Sequence, residues 1–162
     1  MSPGFLSLLL GASAVLHVGD RAPDFTLPDT EGRPVTLSKL LEQGPVVVFF
    51  FPKAFTPGCS RQTANFRDRY EELKKKGAQI VAISVDDVPT LKKFKADRQA
   101  QYIFLSDSQK KVVPLYSGTM PVVGLANRAN FVIDRDGKVV SIVEGSDAID
   151  PTATVGACPG HG

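Results

Sequence analysis

The sequence predicts an α/β domain with a central mixed β-sheet flanked by helices and an N-terminal β-hairpin. Two apolar runs, "PVVVFFF" at 45–51 and "AQIVAISV" at 78–85, are typical of strands buried on both faces. The segment between them has helical periodicity, so together they form a βαβ unit. Late in the chain, "NFVIDRDGKVVSIV" at 130–143 turns at an Asp-Gly pair, which indicates an antiparallel hairpin.

The elements before the second apolar run follow in order. The stretch "DFTLPDTEGRPVTL" at 24–37 alternates around Glu31-Gly32 and predicts the N-terminal hairpin, and "SKLLEQG" at 38–44 predicts one or two helical turns. One helix is then predicted from Cys59 to Gly77. Five of its residues recur three or four positions apart and share one sheet-facing side, namely Cys59, Thr63, Phe66, Tyr70 and Leu73.

The remaining elements alternate between helix and strand. "DDVPTLKKFKADRQ" at 86–99 predicts a helix capped by Asp87, "YIFL" at 102–105 a strand, and "SDSQKKVVPLYSG" at 106–118 a short helix broken at Pro114. Two carboxylate pairs, Asp86-Asp87 and Asp134-Asp136, resemble catalytic pairs. We interpret both as helix caps and turn residues, which these residue types commonly supply.

Composition limits the function classes. The 162 residues suit one domain, with 43% hydrophobic and 22% charged residues and a net charge of +2 that does not indicate nucleic-acid binding. The apolar segment at 5–16 is too short to span a bilayer, so no membrane partner is expected. We interpret residues 1–17 as an extension on a domain at 18–162, in a cytoplasmic protein. A signal peptide cleaved near Ala12-Ser13-Ala14, and hence export, is the alternative.

Two cysteines, Cys59 and Cys158, stand far apart in the chain with no CxxC pair. They make neither a disulfide scaffold nor a zinc site, and no metal or other cofactor is expected. Cys59 follows a buried strand at the predicted start of a helix, where the unpaired N–H groups favour a thiolate. The alternative for Cys59 is a small buried hydrophobic residue.

The helix terminus alone does not ionise such a thiol. An ordinary cysteine is about 3% ionised at pH 7, and making it mostly thiolate takes about 3.4 kcal/mol. A helix terminus supplies typically 0.3–1 kcal/mol and at most about 2 kcal/mol. A fixed cation is therefore expected nearby, and Arg128, just before the "NFVID" strand, is the candidate.

The stretch "FPKAFTPGCSRQ" at 51–62 resembles the active-site signature of the peroxiredoxins, the AhpC/TSA type, which reads Pro-x-x-x-Thr-x-x-Cys. It is most similar to the peroxiredoxin Q branch, also called bacterioferritin comigratory protein. The resemblance extends to "VGDRAPDFTLPD" at 18–29, "IVAISVD" at 80–86 and "NRANFVIDRDGKV" at 127–139, so it covers roughly residues 18–145 in matching order.

The resemblance implies a thioredoxin-like fold and an antioxidant thiol peroxidase that reduces hydrogen peroxide and organic hydroperoxides. By the same resemblance, Cys59 is the peroxidatic nucleophile, Thr56 hydrogen-bonds the peroxide, Pro52 shields the site and Arg128 stabilises the thiolate and transition state. Cys59 would become a sulfenic acid and be recycled by thioredoxin or another thiol. A monomer and a homodimer both remain open.

The sequence departs from the branch at the resolving cysteine. Many members carry one five residues after the nucleophile, where this chain has Ala64. Cys158 is a possible resolving residue, and three alternatives stay open. It forms a disulfide within the chain, it forms one across a dimer, or it is a spectator while an external thiol attacks the sulfenic acid.

Two other functions remain as alternatives. One is a thioredoxin-like thiol-disulfide oxidoreductase, although Thr56 stands where that class carries the first cysteine of its CxxC motif. The other is a catalytically silent thioredoxin-fold interaction module, in which Cys59 would be dispensable.

Overall fold

The computed structural model describes residues 14–160, which form a mixed sheet flanked by helices. The strands are β1 (Thr26–Pro28), β2 (Pro34–Thr36), β3 (Val46–Phe50), β4 (Gln79–Ser84), β5 (Ile103–Ser106), β6 (Ala129–Ile133) and β7 (Val139–Glu144). The central sheet has the order β5-β4-β3-β6-β7. Strands β3, β4 and β5 run parallel, whereas β6 is antiparallel to both β3 and β7. The predicted fold class is therefore confirmed.

Both predicted hairpins form. Strands β1 and β2 pair in antiparallel register around the turn at Gly32, as expected. Between β6 and β7, the Asp134 carboxylate accepts the backbone N–H groups of Asp136 and Lys138, and Gly137 adopts a φ of +87°. Asp134 is thus a turn residue, which confirms its structural interpretation.

The helices are α1 (Leu37–Leu41), α2 (Pro57–Asp68), α3 (Tyr70–Lys75), α4 (Val88–Arg98) and α5 (Thr152–Ala157). The prediction of one helix from Cys59 to Gly77 is wrong, because Arg69 leaves the helical conformation with φ −105° and ψ 8°. The Arg69 guanidinium pairs with Glu72 and also donates to Thr152 of α5. The break is therefore tied to a helix remote in sequence, which local periodicity could not reveal.

The helix predicted over residues 106–118 is also wrong. Only a three-residue 3₁₀ helix forms there (Val113–Leu115), and Pro114 lies inside it rather than at a break. The buried Asp107 carboxylate accepts the backbone N–H groups of Lys111, Val112 and Val113. These side-chain bonds replace the backbone bonds that a continuous helix would make.

Two apolar layers cover the central sheet. In β3, Val46, Val48 and Phe50 face one layer with the 3₁₀ helix and Tyr116. The alternate residues of β3 face the other layer, formed by α2 to α5, which contains both cysteines. Ala14 and Leu16 pack into the first layer. Most of the predicted N-terminal extension lies outside the described residues, so its boundary stays a prediction. No helix in residues 14–160 is long and apolar enough to cross a bilayer.

One buried hydroxyl allows a test of the packing between α2 and the sheet. Within residues 14–160, the Thr63 Oγ1 is the buried side-chain oxygen that has no hydrogen-bond partner. We expect Thr63→Val to raise the free energy of unfolding by about 1 kcal/mol, because an unsatisfied buried hydroxyl is lost at nearly constant shape. Urea unfolding followed by circular dichroism measures the change.

Thr154→Val provides the matched control. Thr154 is equally buried, but its hydroxyl accepts a hydrogen bond from Asn130. This variant should lose about 1–2 kcal/mol, since the Asn130 amide loses its partner. Equal losses in the two variants would contradict the assignment of Thr63 as unsatisfied.

Candidate functional site

Cys59 lies in the first turn of α2, directly behind the carboxyl end of β3. Thr56 is the N-cap residue in an extended conformation, Pro57 opens the helix, and the Ser60 N–H donates to the Thr56 carbonyl at 2.9 Å. A proline in the first turn costs no hydrogen bond, which favours a helix start here. Cys59 has no exposed surface and packs in the apolar layer on the helical side of the sheet.

Arg128 lies against the same helical turn. Its Nη1 donates to the Oε1 of Gln62 at 2.6 Å, one turn after Cys59. A Cβ built on Gly58 would lie 2.9 Å from the Arg128 Nη2, so the guanidinium rests against the backbone next to the cysteine. The cation that the sequence predicted near Cys59 is therefore at the start of α2.

A cavity of about 340 Å³ opens beside the Arg128 side chain. Pro52 and Arg128 both line it, together with the apolar side chains of Met120 and Ile149. Thr56 is half-buried at the helix start, and its hydroxyl donates to the Lys53 carbonyl at 2.7 Å. Pro52 and Arg128, which are 76 positions apart in the sequence, thus line one cavity. Arg128 also lies against the turn of α2 that follows Thr56 and carries Cys59.

The structure contains a chain of hydrogen-bonded buried amides behind Arg128, which the sequence did not predict. Gln62 donates through Nε2 to the Oδ1 of Asn130 at 2.9 Å, and Asn130 donates in turn to the Ala148 carbonyl and to the Thr154 hydroxyl. The Gln62, Asn130 and Thr154 side chains are fully buried. The polar Asn130 within the apolar run "ANFVI" is the sequence signal that could have indicated a buried polar contact.

The Asp86-Asp87 pair has two different roles in the structure. Asp87 accepts the Thr90 N–H and caps α4, as predicted. Asp86 does not cap that helix. Its Oδ2 accepts the Ala54 N–H at 2.9 Å and so contacts the loop between β3 and α2. The capping interpretation is therefore wrong for Asp86.

Cys59 lies in the first turn of α2, whereas Cys158 lies beside the C-terminal end of α3. Its carbonyl accepts a hydrogen bond from Lys76, the residue that ends α3. Cys59 begins α2, whose twelve residues alone span about 18 Å. Burial raises the pKa of the Cys158 thiol, and the Lys76 ammonium offsets part of this effect. Both cysteines are free thiols in this structure.

No group of three or more His, Cys, Asp or Glu side chains within residues 14–160 could hold a metal ion. The candidate site therefore consists of a thiol, a guanidinium, a hydroxyl and backbone groups.

Comparisons with known proteins show the family to which the chain belongs. The family model described as the AhpC/TSA family matches residues 18–142. The chain is 41% identical over 142 residues to the chloroplastic peroxiredoxin Q of Suaeda salsa, covering 86% of this chain and 66% of that protein. It is 43% identical over 122 residues to the chloroplastic peroxiredoxin Q of japonica rice, covering 75% and 56% of the two chains.

Solved structures show the same fold. The crystal structure of a peroxidoxin from Mycobacterium tuberculosis superposes with a TM-score of 0.80 at 39% identity, covering 86% of this chain and 92% of that one. Peroxiredoxin Q from Xanthomonas campestris gives a TM-score of 0.76 at 24% identity, covering 89% and 95% of the two chains, and supports the fold alone.

The fold and its relatives define a thioredoxin-fold enzyme of the thiol peroxidase class. The chain belongs to the AhpC/TSA family, the peroxiredoxins, and its relatives include proteins named peroxiredoxin Q. The family resemblance seen in the sequence is thereby confirmed. Family membership implies a peroxide substrate and a thiol reductant.

The raised pKa of Cys158 predicts how its thiol reacts. In a Cys59→Ser variant, Cys158 should react slowly with iodoacetamide at neutral pH, because burial keeps the thiol protonated. The rate should still be rising with pH beyond the range in which an exposed cysteine titrates. Mass spectrometry over a pH series measures it.

The same variant in urea is the internal control. Unfolding removes the burial, so the alkylation rate at a given pH should rise and its midpoint should fall to that of an ordinary thiol. An identical pH profile in the folded and unfolded protein would contradict the raised pKa.

Proposed function

We propose that the chain reduces hydroperoxides through Cys59 and is recycled by an external thiol. The observation that carries this proposal is the position of the Arg128 guanidinium against Gly58, the residue before Cys59. The guanidinium adds positive charge to the smaller contribution of the helix terminus. Thiolate at Cys59 and anionic charge on the leaving oxygen are both stabilised by the same group.

The reaction balances with one peroxide and two thiols. The Cys59 thiolate attacks the terminal oxygen of the hydroperoxide, an S–O bond forms, and the O–O bond breaks. The departing oxygen takes a proton and leaves as water or alcohol. A reductant thiol then condenses with the Cys59 sulfenic acid, releasing water, and a second thiol reduces the mixed disulfide.

Two other residues have roles beside this step. Pro52 forms a wall of the cavity at Arg128 and limits water around the reacting atoms. The Thr56 hydroxyl, at the start of α2, donates a hydrogen bond to the Lys53 carbonyl. When the peroxide binds, this hydroxyl donates to the peroxide instead. Because Cys59 has no exposed surface, the peroxide reaches the sulfur only with a local displacement of the cavity walls.

The position of Cys158 favours an external reductant. A disulfide needs Cα atoms within about 7 Å. Cys158 lies beside Lys76 at the end of α3, whereas Cys59 lies in the first turn of the preceding helix, α2. Thioredoxin or a small dithiol is the proposed reductant class. The apolar side chains of Met120 and Ile149 in the cavity favour organic hydroperoxides as substrates beside hydrogen peroxide.

Cysteine variants test this proposal. Wild type and Cys158→Ser should consume peroxide at similar rates with thioredoxin or dithiothreitol, because the external thiol completes the cycle in both. Cys59→Ser should lose the activity, since no other described thiol lies at the site. Peroxide consumption is measured with hydrogen peroxide and with cumene hydroperoxide, and mass spectrometry identifies the oxidised residue.

Three outcomes would contradict the proposal. Activity retained by Cys59→Ser would exclude Cys59 as the nucleophile. A Cys59–Cys158 disulfide in peroxide-treated wild type, with Cys158→Ser inactive on thioredoxin, would restore the resolving role of Cys158. Fast insulin reduction without peroxide turnover would favour the thiol-disulfide oxidoreductase.

The contact at Gly58 gives a separate test of Arg128. We expect Gly58→Ala to lower kcat/KM for peroxide by about tenfold or more, because the added Cβ displaces the guanidinium and small displacements are costly in catalysis. Stopped-flow kinetics of Cys59 oxidation measures the rate. Gly156→Ala is the matched control, since a Cβ at this exposed helical position contacts nothing within 4 Å. Equal rates in both variants would contradict a role for the Arg128 position.

A further inference from the structure

The loop between β3 and α2, residues 52–56, has a conformation that its own sequence does not favour. Phe55 adopts a φ of +69°, in the left-handed region that bulky side chains rarely occupy. The Phe55 side chain is 51% exposed, with its ring centroid 5.1 Å from that of Phe94. Such a conformation persists only when surrounding contacts hold it.

Asp86, two residues after the end of β4, supplies one of these contacts. Its Oδ2 accepts the Ala54 N–H at 2.9 Å, in the middle of the strained loop. The same oxygen accepts the Ser84 hydroxyl at 2.8 Å. A carboxylate that accepts a backbone N–H makes a charge-assisted hydrogen bond, which is stronger than a bond between neutral groups.

The sheet fixes Asp86 in turn. Its backbone carbonyl accepts the hydroxyl of Ser106, which pairs with Ser84 across the parallel strands β4 and β5. Both serines are buried. Asp86 is therefore held by buried serines of β4 and β5 on one side and contacts the site loop on the other.

We propose that Asp86 is a positioning residue of the peroxidase, whose carboxylate holds the loop of residues 52–56 in the geometry that presents Pro52 and Thr56 to the peroxide. This inference rests on the function proposed above. Ala54 lies two residues from each of Pro52 and Thr56, so its N–H fixes both. Within residues 14–160, no hydrogen bond joins Asp86 to Cys59 or Arg128, so Asp86 acts through the loop.

Asp86→Ala tests the inference with three measurements. Stopped-flow oxidation of Cys59 by hydrogen peroxide should slow by about tenfold or more, because the loop loses its reactive geometry. Alkylation of Cys59 by iodoacetamide, measured from pH 5 to 9, should change much less, because it does not need the peroxide-binding loop. Hydrogen exchange of the Ala54 amide should become about tenfold faster or more.

Two further variants separate positioning from stability. Asp86→Asn keeps an oxygen that accepts the Ala54 N–H and should restore most of the peroxide rate. If Asp86→Ala does not fold, Asp86→Asn is still expected to show faster Ala54 exchange and a smaller peroxide rate than wild type, with unchanged alkylation. Asp87→Ala is the matched control. It removes only the cap of α4, so it should lower the unfolding midpoint and keep the peroxide rate.

The inference is overturned by an unchanged peroxide rate in Asp86→Ala, by an equal loss in Asp87→Ala, or by peroxide and iodoacetamide rates that fall together. Unchanged Ala54 exchange in Asp86→Ala also overturns it. These results differ from a failure of the proposed function, in which wild type consumes no peroxide or Cys59→Ser stays active. In that case, faster Ala54 exchange would still show the loop contact, while the role in catalysis would be lost.

Discussion

The hydrogen bond from Arg128 to Gln62 is the interaction on which the candidate site depends. It links the residue before β6 to the first turns of α2, and it brings a permanent cation to the start of the helix that carries Cys59. A helix terminus contributes at most about 2 kcal/mol toward ionising a thiol, so the proposed mechanism needs a cation beside it. Because Gln62 is neutral, this hydrogen bond does not neutralise the guanidinium. A carboxylate in the place of Gln62 would compete for that charge.

The orientation of Gln62 is determined by groups much further along the chain. Its Oε1 is occupied by Arg128, so its Nε2 has to donate, and the Oδ1 of Asn130 accepts. Asn130 then donates to the Ala148 carbonyl and to Thr154 of α5. Each amide has one orientation that satisfies all its partners, and a buried amide in the other orientation would leave unpaired groups. The C-terminal helix thereby helps to determine where the guanidinium lies.

The sequence was sufficient for the elements whose pattern is local. The apolar runs of β3 and β4, the hairpin turns at Gly32 and Gly137, and the position of Cys59 at a helix start all depend on neighbouring residues. The contacts of Gln62, Asn130 and Asp86 could not be predicted, because their partners lie 66, 68 and 32 positions away. Asp86 and Asp87 are adjacent and chemically identical. Asp86 contacts the loop and Asp87 caps a helix only because their side chains point in different directions in the fold.

Ionising the sulfur is the smaller part of the catalytic task. For any thiol, lowering the pKa by about 2.5 units from its ordinary value increases the thiolate fraction at pH 7 about thirtyfold. The same change lowers nucleophilicity about ten- to twentyfold, because the Brønsted coefficient is about 0.4–0.5. The two effects nearly cancel, so a fast peroxidase needs groups that align the peroxide and stabilise its leaving oxygen.

This requirement explains why a strained loop is kept beside the cysteine. A left-handed aromatic residue costs of order 1–3 kcal/mol, and a hydrogen bond to a charged group contributes about 1.5–3 kcal/mol. The bond between Asp86 and Ala54 is thus large enough to hold Phe55 in its unfavourable conformation. Relaxing the loop would make the fold more stable locally, but it would move Pro52 and Thr56 away from the place where the sulfur meets its substrate. In the proposed mechanism the strain is tolerated because alignment of the peroxide, rather than ionisation of the thiol, limits the rate.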